Sequence, residues 1–306
     1  MPMIWLLGLA LLVPQQKTET PALVEQLALA QGRHDAGTIQ ASLLELTDRL
    51  GTADLESLQI VVPEIVRAAD DPDAQTRGLA MLALTAIKGD GLAVLEPHAG
   101  AIARHLHDAS LPVRQVTVLV LGTFQRHPTA AVIDPLLESL KEADAPKTIG
   151  PGVVYALLTL GVDDPAHPEI GDGILRFVRR PDLPGDVLAR VLVAIANAPV
   201  HNEALDTGLL GFLGKTHSAP TRSVLVGLLP KLRLAQKTLD GTRAELAGFA
   251  ADPKEDAGVK AAATGVLPCW HSSRMSDPCP ALPMRYRMVA PPKPMTAPRY
   301  QSPPLS

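Results

Sequence analysis

The side chains best able to do chemistry in this 306-residue chain are scattered, so the first question is which of them stand together. His98, His105 and His107 form the densest histidine group. Positions 98 and 105 are two helical turns apart, so one helix face would carry both rings toward a metal. No carboxylate joins them on that face, and a surface role is the expectation. Asp70, Asp71 and Asp73 make an acidic turn. Calcium asks for more oxygen ligands at regular spacing and a glycine turn, so these carboxylates are expected to cap helices instead. The two cysteines, Cys269 and Cys279, can pair as a disulfide in an oxidising compartment or stand as free thiols. With His271 they still fall short of the four ligands of a structural zinc site. No GxSxG, HExxH or phosphate-cradling glycine loop occurs. The expectation is a chain without catalytic residues, metal or cofactor, and not an enzyme.

What remains is pattern. The stretches from Asp71 to Leu84 and from Asp108 to Leu121 each run Asp, then Arg six residues on, then an apolar helix-like segment, and they lie 37 residues apart. Phe177, Phe212 and Phe249, three of the four Phe, follow at spacings of 35 and 37. A period of this size marks a solenoid of stacked helix pairs, in which no unit can bury its apolar face alone. Six units fit, at 51–88, 89–127, 128–161, 162–198, 199–234 and 235–267, behind capping helices at 17–50. The expected fold is all-α, a right-handed α-solenoid of about six antiparallel helix pairs.

Each unit divides into two kinds of helix. The first is amphipathic: Leu55, Leu58, Val61, Val62, Ile65 and Val66 share a face, with Glu56 and Glu64 between them. The second, as at Gly78 to Ile87, is apolar nearly all round and is expected to be covered on more than one side, with Leu82 inside the stack. Turn chemistry agrees, since Asp70, Asp71, Pro72 and Asp73 supply a stop, a Pro and a capping carboxylate. Leu-Pro at 111–112 and 183–184 does the same.

Pro63, then Asp71 eight residues later, then Arg77, resemble the HEAT-repeat family, whose first helix carries a Pro, whose turn carries an Asp and whose second helix opens on Val-Arg or Val-Lys. Asp108 with Val113 and Arg114 is similar to the second half of that pattern. The resemblance covers about 51–267. It implies that Asp71, Arg77, Asp108 and Arg114 belong to a buried polar ladder bridging neighbouring repeats. The third unit departs, with Lys147 and Thr148 but no matching Asp, and later units keep Arg190, Arg222 and Lys260 without an Asp six residues before.

The net charge of −4 hides a segregation. Lys and Arg outnumber acids in the second helices, so the cations Arg77, Arg114, Lys147, Arg190, Arg222 and Lys260 either line a concave, mildly basic groove that draws in an acidic peptide or domain, or point between repeats as ladder residues.

The ends bear on location. Met3 to Val13 is an apolar run of 11 residues, too short for a membrane span and suited to a secretory signal peptide at 1–16. From 268 to 306 the composition turns Pro-rich, with 10 of the 29 Pro, and a disordered tail is expected, either genuine or the end of a truncated array. The reading is an exported, bacterial-type HEAT repeat protein, periplasmic or extracellular, acting as a scaffold for another protein. Two alternatives come from HEAT-like relatives, the bilin lyases and the DNA glycosylases. An acidic chain with 3% aromatics argues against nucleic acid, and no residues that would grip a tetrapyrrole stand out.

Overall fold

The computed structural model describes residues 15–125, 129–162, 167–198, 202–214, 217–232 and 234–270, without the side chains of 15–20 and 269–270. The apolar run at 3–13, the side chains of Cys269 and Cys279, and the stretch from 271 onward lie outside the described residues.

The described residues form helices and turns with no strand, in consecutive pairs. α1 (Gln15–Arg33) precedes α2 (Ala36–Leu50), and α3 (Leu55–Ala68) precedes α4 (Ala74–Leu84). Next come two short pieces, α5 (Leu92–Leu95) and α6 (Ala99–Ala103), followed by α7 (Leu111–Gly122). Then follow α8 (Ala130–Ser139) with α9 (Gly150–Gly161), and α10 (Glu169–Val178) with α11 (Gly185–Ala196). The last pairs are α12 (Glu203–Leu209) with α13 (Ala219–Leu228), and α14 (Gln236–Ala251) with α15 (Ala257–Val266).

The second members pack on one another in sequence, α2 on α4, α4 on α7, α7 on α9, and so on to α15, while the first members make their own row from α1 to α12. Two layers result. The buried apolar side chains join into one cluster that runs without a break from Leu23 in α1 to Val266 in α15, which is how short helices of low intrinsic stability share cover.

Local chemistry sets the pair boundaries. Asp35, Asp54, Asp73, Asn202, Ser218 and Asp256 each accept a backbone N–H from the first turn of the helix that follows. Pro112 and Pro151 sit in the first turns of α7 and α9, where a missing N–H costs little. The first helix of the third pair is interrupted at Glu96–His98 and closed by a tight turn at Arg104–His107; Pro97, which has no N–H to give, sits at the interruption. The regular helical spacing that would align His98 with His105 therefore does not apply.

One expectation is corrected. α4 is covered by α2, α3 and α7, yet its remaining side is open and Leu82 lies there, 41% exposed, while its neighbour Met81 is fully buried. A second-layer helix has three packed flanks and a free one.

Candidate interaction face and its polar ladder

The second-layer helices begin along a common edge, and side chains near those starts reach from one pair to the next. Gln40 Nε2 on α2 donates to Asp73 Oδ2 at 3.0 Å and Thr76 Oγ1 at 3.1 Å. Arg77 on α4 meets Asp108 in a bidentate pair, Nε to Oδ2 at 2.7 Å and Nη2 to Oδ1 at 2.8 Å, while its Nη1 donates to the carbonyls of Asp71 and Pro72. Arg114 on α7 reaches Asp144 at 3.0 Å, with Glu142 at 3.9 Å. Arg222 on α13 makes a second bidentate pair with Glu255, at 2.7 and 2.8 Å, and lies over the Phe249 ring. Fork-to-carboxylate geometry of this kind fixes both distance and orientation.

Where α8–α9 meets α10–α11 the direction reverses. Arg180, clamped by Asp182 at 2.7 and 2.9 Å, donates back to the carbonyls of Leu140 and Glu142. The hydrogen bond from Arg77 holds the Asp108 carboxyl below its ordinary value against the opposing effect of burial, and Glu255 in the same way raises the Arg222 guanidinium.

The residues singled out in the sequence divide accordingly. Asp108, Arg77 and Arg114 face partners in adjoining pairs. Asp71 makes no ion pair of that kind; its carboxylate accepts the Asp73 N–H and its carbonyl takes Arg77, so it shapes the turn. Among the six candidate groove cations, Arg77, Arg114 and Arg222 are spent on the ladder. Arg190 is exposed and pairs with Asp186 on its own helix, Lys147 is exposed at the turn before α9, and Lys260 is half-buried on α15.

Gln40, Glu142, Asp144, Arg180, Asp182 and Glu255 were not anticipated. A signal for two of them, Asp144 and Asp182, exists: Asp71, Asp108, Asp144 and Asp182 follow one another at 37, 36 and 38 residues, the same period as the helices.

The open side of the second layer is chemically distinct. α4, α7 and α9 contain two charged residues, Arg77 and Arg114, and both turn to the ladder. Leu44, Leu82, Leu119 and Tyr155, one from each of four successive second-layer helices, are 52%, 41%, 60% and 61% exposed. The first layer also exposes Leu29, Leu55 and Ile60, but there they stand among exposed charges that include Glu56, Arg67, Asp134, Glu138, Asp172 and Arg176. Over α4, α7 and α9 this strip presents no carboxylate, guanidinium or amine outside the ladder, while α2 keeps Glu45 and Asp48 exposed beside Leu44. The strip can bury apolar surface from a partner, at about 25 cal/mol for each Å² removed from water.

No family model and no curated protein matches the chain. Solved structures do resemble it at low identity. One is an engineered protein, 15% identical with a TM-score of 0.46, over 79% of this chain and 66% of that one. A designed armadillo repeat protein is 17% identical with a TM-score of 0.37, over 81% and 98% of the two chains. Another, crystallised in complex with the peptide (KR)4, is 16% identical with a TM-score of 0.36, over 82% and 99%. The two-layered helical fold is carried by the chain's own helices and not by these likenesses.

Proposed function

We propose that this chain is a non-enzymatic scaffold that binds another protein, or a peptide segment of one, along the open side of its second helical layer. The observation that carries this reading is the row Leu44, Leu82, Leu119 and Tyr155, exposed on four consecutive helices where the neighbouring first-layer surface is charged. An apolar row kept at the surface gives up the stabilisation that burial would bring, and a partner that covers it recovers that stabilisation. Recognition on this reading is mainly apolar, because the guanidinium groups that would have made the face basic are matched by ladder carboxylates.

The test is to purify the tagged chain from cells of its own source as wild type and as Leu119→Asp with Tyr155→Glu. Loss of a co-purifying protein with an unchanged melting temperature supports the reading. A partner retained by the double variant places binding elsewhere.

A further inference from the structure

We propose that the Arg104–His107 turn is an acid-sensitive joint, in which proton uptake by His105 puts surplus positive charge into a balanced brace and loosens α3–α4 from the pair built on α7. The turn sits between three successive pairs and grips in both directions. His105 is buried; its Nε2 lies 3.3 Å from Asp70 Oδ1 in the turn that ends α3, and its Nδ1 lies 3.8 Å from Asp108 Oδ2. Arg104 Nη2 reaches back to the same Asp70 at 3.4 Å. His107 points forward instead, with Nδ1 2.5 Å from Glu142 Oε1.

The charges around His105 can be counted element by element. The α3–α4 turn contributes Asp70, α4 contributes Arg77 through its bidentate pair with Asp108, the residue that closes the turn is Asp108 itself, and the turn contributes Arg104, while its His107 is engaged by Glu142 and the Arg114 of α7 by Asp144. α6 and α8 also pack on the turn. α6 has no charged residue, and on α8 Asp134 and Glu138 are exposed, Glu138 pairing with Lys141. Two carboxylates thus face two guanidiniums, and the brace is neutral while His105 is neutral. Asp108 is already saturated by Arg77 and by the Ser110 N–H, which leaves it little to offer an imidazolium.

Burial is the largest influence on His105 and pushes its titration below 6.5, with the two carboxylates opposing. The sign follows by linkage. The folded state binds the proton less readily than the unfolded one, so the contribution is complete above about pH 6.5 and is lost progressively as pH falls toward the folded value. Asp73 and Asp108 are held below 3.8, so their contributions persist throughout that interval.

The experiment is amide hydrogen exchange read by mass spectrometry on the full chain at about pH 7.5 and about pH 5, corrected for intrinsic exchange rates, together with a titration of the His105 ring proton by NMR. Wild type is expected to lose protection several-fold at the acid pH in the α3–α4 turn and the start of α7, with the α13 and α15 amides unchanged. His105→Gln, which keeps a donor near Nε2 and has no charge to gain, is expected to show no such local loss. An equal acid response in His105→Gln, or a response spread evenly along the array, overturns the proposal. Should that variant fail to fold, the wild-type ring decides: titration at or above its ordinary value of about 6.5 overturns the joint as surely.

Discussion

At the scale of single residues, the ladder separates side chains that resemble one another in sequence. Arg222 and Glu255 are the most buried pair, with the Glu255 side chain 2% exposed, whereas the Asp144 partner of Arg114 is 49% exposed. Arg222→Ala is therefore expected to cost about 3–5 kcal/mol in a urea melt, because Glu255 loses its bidentate counter-charge, and Arg114→Ala well under half of that. Replacing both partners, as Arg222→Leu with Glu255→Leu, should restore most of the loss, since apolar side chains of similar size carry no desolvation penalty. A double variant as unstable as the single one would mean that Arg222 acts through its contact with Phe249 instead. The adjoining positions 81 and 82 give a sharper contrast. Met81→Asp should unfold the chain or come close to it, while Leu82→Asp, on the open side, should stay within about 1 kcal/mol of wild type by thermal melting.

At the scale of elements, close approach decides which positions tolerate change. A Cβ added to Gly150 would meet the Phe177 ring at 2.5 Å and the Ala145 carbonyl at 2.6 Å, so α9 and α10 seat together only because that position is bare. Gly150→Ala should lower stability by about 1–3 kcal/mol, and Gly227→Ala, where nothing lies within 4 Å, should leave it level or raise it by about 0.5–1 kcal/mol; chemical denaturation distinguishes the two. Much of this layer of organisation was legible beforehand. The apolar periodicity and the Asp and Pro punctuation depend on near neighbours in the chain, and they locate helices such as α3, α4 and α7 directly. Of the ladder, the residues Arg77, Asp108 and Arg114 stood out in the sequence and the Asp period marks Asp144 and Asp182, while the other partners were hidden. Arg222 finds its carboxylate 33 residues further on, and Arg180 finds backbone carbonyls, which carry no mark in a sequence. Leu82 was misplaced for a related reason. Its helix is apolar on every side, so periodicity has no polar face by which to tell the packed flanks from the free one.

At the scale of the whole molecule, one apolar cluster threads every pair from α1 to α15, and the surface on either side of it differs in kind. One flank mixes exposed charge with Leu29, Leu55 and Ile60; the other carries the row from Leu44 to Tyr155, with exposed carboxylates on α2 and no free charge over α4, α7 and α9. Three of the cations that the sequence offered to that second flank, Arg77, Arg114 and Arg222, are turned along the edge into partners of adjoining pairs, so they hold the array in register and leave α4, α7 and α9 without a charge on the open side. The account stands on that face being where a partner sits. The direct measurement is photo-crosslinking in living source cells with benzoylphenylalanine placed at position 119 or 155 of the second layer, and at position 60 of the first layer as the control. The account predicts a discrete protein adduct from 119 and 155 and none from 60; an adduct from 60 alone would contradict it.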